Sequence, residues 1–409
     1  MSELTLAEFL DQATRFLETA AGRAPAATSR PWGEGPDGTE LLAEWSSEEE
    51  ARLVTEARRF KALEYDAGFG WIDGPTAYGG RGLPRSYHEA YARLREQFAV
   101  PDLAVMRLGL SMTAPTILAH GTEQVKRAYL PRLHRGDVIA CQLFSEPDAG
   151  SDLASLRASA VPDGDGWVLR GQKVWTTNAH LSDIGEVLCR TDPRAPKHRG
   201  ITAFLIDMHA PGVEVRPLRQ MTGGASFNEV FLTDVRVPDD HRLGEVNEGW
   251  QVAITTLMNE RSTTTDIGGS LDVVLDRLVM LARWSGRLAD PAVRDQVSDT
   301  AMHILAARAG SQRAHEAAAT GQPGPEQSVG KLLWTQNLQR VSRVVSELLG
   351  PRLVADTGEW GTYAWAKFVL AVPGIRISAG TDEIMRNILA ERVLGLPREK
   401  PSTRNQERT

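Results

Sequence analysis

Arg376-Ile377-Ser378-Ala379-Gly380-Thr381-Asp382-Glu383-Ile384-Met385-Arg386-Asn387 is the stretch from which the fold is read. The apolar residues Ile384, Met385, Ile388 and Leu389 recur at helical spacing, and Thr381 stands where an N-cap side chain accepts from the first free amides. The helix is expected to stop at Gly395, ahead of Pro397. A helix start preceded by Gly380 is a favourable place for an anion, because unpaired N–H groups point outward there. Capping alone accounts for Thr381 equally well. The residue before Gly-Thr is Ala379, so the turn has no ionisable side chain at that point.

Working back from this helix, helical periodicity covers segments around Trp250 to Trp284, Pro291 to Thr320 and Gln327 to Leu349. Long amphipathic helices with short links predict a four-helix-bundle domain over 244–398, with a polar tail at 399–409. Before it, from about Val138 to Leu243, short β-type runs alternate with turn residues: Ile139 to Phe144, Trp167 to Thr177, Glu186 to Arg190, Ile201 to Ile206, Val213 to Leu218 and Glu229 to Val237. These predict a middle β-barrel or sandwich domain over 137–243. Residues 1–136 read as an α-helical domain, interrupted by a Pro/Gly/Ser-rich link near Ala24 to Thr39 and a loop at Gly74 to Gly80. The fold class expected is α+β with three domains.

Composition narrows the function. With 409 residues and a formal net charge of -7 the chain has no long Lys/Arg run, which argues against phosphate-backbone binding and hence against nucleic acid as a partner. No stretch approaches the length of a membrane-spanning apolar helix. The start, Met1-Ser2-Glu3-Leu4-Thr5-Leu6-Ala7-Glu8, is acidic and lacks signal- or transit-peptide patterning, so a cytoplasmic location is expected. Cys141 and Cys189 both lie in apolar strand-like runs and are expected to be buried, inert thiols.

Five motifs follow in order: Tyr78-Gly79-Gly80-Arg81-Gly82-Leu83; Ser145-Glu146-Pro147-Asp148-Ala149-Gly150-Ser151-Asp152; Gly171-Gln172-Lys173-Val174-Trp175-Thr176-Thr177-Asn178-Ala179; Phe227-Asn228-Glu229-Val230-Phe231 with Val235-Arg236-Val237-Pro238; and the Gly380-Thr381 helix. In this order, across a helix/strand/helix pattern, the sequence resembles the acyl-CoA dehydrogenase family over about Gly70 to Arg398. The resemblance implies FAD as cofactor. It assigns Phe144, Ser145, Ser151, Trp175 and Thr177 to flavin binding and sets Thr381 and Glu383 against the adenosine-diphosphate part. The chemistry of these residues suits such a ligand, with backbone groups and small hydroxyls for the ring edge and pyrophosphate and an indole for the flat ring. Trp175 and Thr177, two apart on a predicted strand, are expected on one face. Taken alone, Trp175 reads equally as a core aromatic and Ser145-Glu146-Pro147 as a strand-ending turn.

In the family the Glu directly before Gly-Thr is often the catalytic base, and here that residue is Ala379. A subset of the family carries its base instead on the first long helix of the C-terminal domain, directly before an Arg. Leu257-Met258-Asn259-Glu260-Arg261 occupies that place. Steps of three and four from Glu260 meet Ala253, Thr256, Leu257, Thr264, Ile267 and Leu271, an otherwise small or apolar face. A carboxylate paired to a neighbouring helix, or solvated beside Arg261, explains Glu260 from the residues alone; the resemblance makes it the base, with Glu383 the rival carboxylate. The Ala379 backbone N–H could still donate to a thioester carbonyl as charge develops.

By this resemblance the chain is an oxidoreductase that introduces an α,β double bond into an acyl-CoA, or an acyl carrier protein thioester, and passes electrons to an electron-transfer flavoprotein. A homodimer or homotetramer is expected. The alternatives are a flavin monooxygenase or oxidase on the same fold, and a noncatalytic partner subunit. Departures from the family pattern lie at Arg283-Trp284-Ser285-Gly286-Arg287 and Gly350-Pro351-Arg352, where contacts to a neighbouring subunit's FAD are usually made.

Overall fold

The computed structural model describes residues 4–25, 32–34, 37–39, 41–42, 45–265, 268–320 and 327–398, of which 261–265, 268–270, 314–320 and 327 are described by backbone alone. Two compact units are present, Met1–Ser29 with Ala43–Asn259 and Arg30–Leu42 with Glu260–Thr409.

The first unit opens with helices α1 (Leu6–Ala20), α2 (Ser47–Asp66), α3 (Arg85–Arg95), α4 (Ala104–Leu108), α5 (Ala114–His120) and α6 (Glu123–Arg135). Capping boxes start α1 and α2: Thr5 with Glu8, and Ser46 with Glu49, each satisfying two otherwise orphaned donors. Each cap contributes about 1 kcal/mol. Phe9, Ala13 and Leu17, four apart on α1, are buried against Phe60, Phe69, Ile72 and Tyr91. The Tyr78-Gly79-Gly80 motif is a packed turn. Gly79 has φ 91°, and a Cβ there would stand 2.0 Å from the Tyr65 hydroxyl.

Strands β1 (Ala140–Leu143), β2 (Ser159–Asp163), β3 (Gly166–Thr177), β4 (Ile184–Arg190), β5 (Ile201–Asp207), β6 (Val213–Leu218), β7 (Phe227–Pro238) and β8 (Arg242–Leu243) form one sheet. Its order is β6-β7-β3-β2-β4-β5-β8, with β1 pairing in parallel with β4. Period-two alternation sends one set of side chains to each face. Ile184, Leu188, Ala203 and Leu205 share an apolar layer with Ile117 of α5 and Leu130 and Leu133 of α6. Val187, Cys189, Phe204 and Ile206 meet Trp167, Leu169, Val230 and Val237 from the far half of the same sheet. The sheet therefore curls over its own inner core, and β4 and β5 are buried along all but their last residue because both faces are covered. Cys141 and Cys189 are free and buried within it, and burial pushes both thiols up to about 12.

Helix α7 (Gly249–Thr265) follows and carries the boundary between the units at Asn259/Glu260. The second unit continues with α8 (Gly268–Trp284), α9 (Pro291–Thr320), α10 (Gln327–Leu349), α11 (Ala364–Ile377) and α12 (Asp382–Ile388), the last extended by a π turn over Leu389–Val393. Leu278, Leu281, Ile304, Leu338, Val341, Val345, Trp365 and Phe368 form the core of this bundle. From residues 30–42, Trp32 joins it by stacking on Trp284 at 4.9 Å.

The α+β architecture, helical at both ends with a β domain between, matches the sequence reading. Three elements were not expected. β2 is mostly exposed and includes Pro162. β8 has two residues. α11 contains Pro373 and lacks the amphipathic spacing on which helix reading rests. The segment from Trp250 to Trp284 is helical over Gly249–Thr265 and Gly268–Trp284, and Ile267 lies outside the described residues.

Candidate functional site

Within the first unit, the end of β1 and the bulged end of β3 bring the first group of candidate residues together. Phe144 is buried in the apolar layer, so its backbone, not its ring, is the polar feature. The Phe144 carbonyl accepts from Lys173 Nζ at 3.1 Å, and the Ser145 carbonyl from Val174 N at 2.9 Å. Glu146 is the buried anchor of this turn. It accepts from Arg157 N at 2.7 Å, from Ala158 N at 2.9 Å and from Lys173 Nζ at 2.8 Å. Lys173 is fully buried, so the pair survives in the interior only because these additional donors satisfy the carboxylate. Neither Glu146 nor Lys173 was singled out from the sequence. The signal was a lysine inside an apolar strand pattern and a glutamate before proline.

The strand alternation on which a shared face of Trp175 and Thr177 was expected is broken at this point. The β3–β7 register shifts between Lys173 and Thr176, and Trp175 has φ 61°. Lys173 and Thr176, three apart, both turn inward across this bulge, leaving Trp175 61% exposed and Thr177 half-buried. Trp175 is therefore no core aromatic: its indole meets Phe227 edge-on at 6.1 Å and otherwise faces outward. A bulky residue held at positive φ is costly and marks a place to look for function. Among the described residues no hydrogen bond engages the hydroxyls of Ser145, Ser151 and Thr177, and a Cβ at Gly150 would meet only open space. An exposed indole, three uncommitted hydroxyls and an open glycine turn fit a flat cofactor with a phosphate-bearing tail, and FAD is such a group.

Within the second unit, the turn between α11 and α12 holds Ala379 at φ 54° and Gly380 at φ 88°. No backbone carbonyl among the described residues accepts from Ala379 N–H. The turn is fixed from below by Asp382, buried to 1% exposure, which accepts from Lys331 Nζ at 3.0 Å, Thr335 Oγ1 at 2.8 Å and Arg376 Nε at 2.9 Å. Burial pushes the Asp382 carboxyl up, but the bonds from Arg376, Lys331 and Thr335 outweigh it and hold the group below the ordinary carboxylate range. Thr381 caps α12, its hydroxyl accepting from Ile384 N at 3.1 Å. Glu383 is exposed and lies 3.4 Å from Arg386. Glu260 is half-buried on α7, in line with buried Ala253 and Thr256 and half-buried Leu257. The side chains of Arg261 and Thr264 lie outside the described residues.

The acyl-CoA dehydrogenase N-terminal, middle and C-terminal domain families match residues 39–137, 141–235 and 247–394. Acyl-CoA dehydrogenase IpdE1 of Mycobacterium tuberculosis (strain ATCC 25618 / H37Rv) is 39% identical over 336 residues, 81% of this chain and 86% of that one. The solved structure of the Tcur3481-Tcur3483 steroid ACAD is similar over 98% of this chain and 99% of its own, with a TM-score of 0.74 and 26% identity. That of the ChsE4-ChsE5 complex from Mycobacterium tuberculosis covers the same shares, with a TM-score of 0.69 and 25% identity. With all three domain families matched in order along one chain, the protein belongs to the acyl-CoA dehydrogenase family, flavoprotein oxidoreductases acting on the CH–CH group of their donors.

Proposed function

We propose that this chain desaturates an acyl-CoA thioester between Cα and Cβ, with Glu260 as the base and FAD as cofactor. The observation that carries this reading is the pairing of Ala379, which has no carboxylate to offer, with a half-buried Glu260 on an otherwise small or apolar face of α7. Glu260 takes the α-proton on its carboxylate, and Ala379 N–H donates to the thioester carbonyl, where negative charge grows as that proton leaves. FAD, when bound, supplies the two-electron acceptor for the hydrogen lost from Cβ. Phe144 and Ser145, through the backbone and the Ser145 hydroxyl, together with Ser151, Trp175 and Thr177, hold and orient the flavin. Thr381 and Glu383 serve its adenosine-diphosphate part, and Arg261 accompanies Glu260. Electrons leave to an electron-transfer flavoprotein, and the chain works as a dimer or tetramer.

A second reading is a partner subunit whose site is completed by a different chain. It is favoured by the likeness to the two-component Tcur3481-Tcur3483 and ChsE4-ChsE5 structures. A panel of acyl-CoAs, straight-chain, branched and steroid-derived, added anaerobically to the FAD-loaded protein separates the two. Bleaching of the flavin by one member supports the enzyme; a silent panel supports the partner subunit. Glu260→Gln should keep its flavin and slow bleaching by about 10²–10⁴-fold, the span typical of losing a general base. Undiminished bleaching in that variant removes Glu260 from the role.

A further inference from the structure

Strand β4 lies in the middle of the sheet, and its helix-facing row should be apolar throughout. Ile184 and Leu188 occupy that row, beside Ala203 and Leu205 of β5. Glu186 falls between them, directly paired with Gln142 on β1 and Leu205 on β5, and its side chain is fully buried. A carboxyl in such a layer costs several kcal/mol unless it is neutral and bonded. It has one bond to the helix layer: Thr256 Oγ1 on α7 donates to Glu186 Oε1 at 2.6 Å. Thr256 in turn lies 2.8 Å from Thr116 Oγ1 on α5, which reaches the Met112 carbonyl at 2.9 Å. Glu186 Oε2 has no partner among the described residues.

A leucine here would pack the layer at lower cost, so stability does not explain the acid. A buried polar link does something apolar packing does less well, which is to fix one rotation of a helix against the sheet. Thr256 and Glu260 are four residues apart on α7 and so share a face. Whatever fixes the azimuth of Thr256 also fixes that of Glu260.

We propose that Glu186 is a positioning residue: by holding Thr256 it sets the rotation of α7 and the direction in which Glu260 presents its carboxylate. The inference rests on Glu260 being the base. Burial pushes the Glu186 carboxyl up to about 8, opposed only by the Thr256 hydrogen bond, so in neutral solution it is an uncharged acid. The groups facing it are the hydroxyls of Thr116 and Thr256 and its cross-strand partners Gln142 and Leu205; His120 of α5 is bonded to the neighbouring Thr255 at 2.8 Å. No charged side chain among the described residues offsets its burial. Ionisation strengthens the bond from Thr256 but leaves a charge in the apolar layer, so rising pH favours local opening of α7 from the sheet, progressively up to about pH 8.

The test is amide hydrogen exchange of the Gly249–Glu260 segment in the FAD-loaded protein, corrected for intrinsic rates, at pH 6.5 and 9. Wild type should lose protection at the higher pH by about tenfold for each pH unit between 6.5 and 8, as opening exposes the carboxyl to water. Glu186→Gln, which keeps an acceptor for Thr256 but cannot ionise, should show no such loss; Thr256→Val should be less protected at both pH values. Identical pH dependence in wild type and Glu186→Gln overturns the pin. Flavin bleaching by the fastest acyl-CoA of the panel supplies the link to chemistry. Its limiting rate should fall between pH 6.5 and 9 in wild type but not in Glu186→Gln, with the half-saturating concentration little changed. If the exchange pattern appears but bleaching is indifferent to both Glu186→Gln and Glu260→Gln, the pin stands and the base assignment fails. If Glu260→Gln abolishes bleaching while wild type and Glu186→Gln share one pH profile, the base stands and the positioning role is overturned.

Discussion

Ala379 brings no carboxylate to its turn, but its backbone N–H is taken up by no backbone carbonyl among the described residues. An L-residue in the left-handed region costs roughly 1–2 kcal/mol, and the turn bears that cost beside a Gly380 that bears none. The conformation is imposed by Asp382 and its three donors. Ala379→Gly should therefore raise the thermal midpoint by relieving about 1 kcal/mol of strain while keeping the backbone N–H, and a lowered midpoint would contradict the strain. The alanine itself was legible in the sequence, and with it the absence of a carboxylate at that point. Its backbone angle was not, because nothing in Ser378-Ala379-Gly380 distinguishes a left-handed alanine from an ordinary one. Trp175 was similar: taken alone it read equally as a core aromatic, and its exposure depends on a bulge that only pairing with β7 creates.

At the scale of elements, two buried ion networks tie together segments far apart in the chain. Glu146 and Lys173 hold the turn after β1 to β3, and Asp382, Lys331 and Arg376 join the start of α12 to α10 and the end of α11. Removing one partner leaves an uncompensated charge in the interior, which typically costs about 3–5 kcal/mol. Lys173→Met should lower the thermal midpoint by several degrees and reduce the FAD retained on gel filtration, since the Phe144-Ser145 turn would lose its anchor. Full FAD occupancy in a folded Lys173→Met protein would show that the turn stands without the pair. Asp382→Asn removes the charge but keeps much of the shape, so Lys331 and Arg376 are left facing a neutral amide. Its midpoint should also fall, and unchanged stability would mean that the burial cost of the carboxylate cancels its three bonds. These networks escaped sequence reading because both partners of a long-range pair look like ordinary surface residues until the fold buries them.

For the whole molecule, Glu186 gives stability a definite pH dependence. Its carboxyl is raised from 4.5 to about 8 on folding, so between these values the folded chain holds a proton that the unfolded chain releases. Stability attributable to this group is greatest below about pH 4.5, declines as pH rises, and levels off above about 8. The full loss is roughly 4–5 kcal/mol at 1.36 kcal/mol per pH unit. Glu186→Gln should match wild type near pH 5 and exceed it increasingly toward pH 8 in thermal unfolding, and parallel curves would contradict the buried neutral acid. The helical, β and helical blocks, the family and the missing base at Ala379 were determined by the sequence alone, because periodicity and short ordered motifs are local properties of the chain. The curl of the sheet, the bulge that turns Trp175 outward and the buried partners of Glu146, Glu186 and Asp382 were decided only by tertiary structure. Each depends on residues tens to more than a hundred positions apart meeting in an interior whose low polarity gives charge and hydrogen bonding their weight.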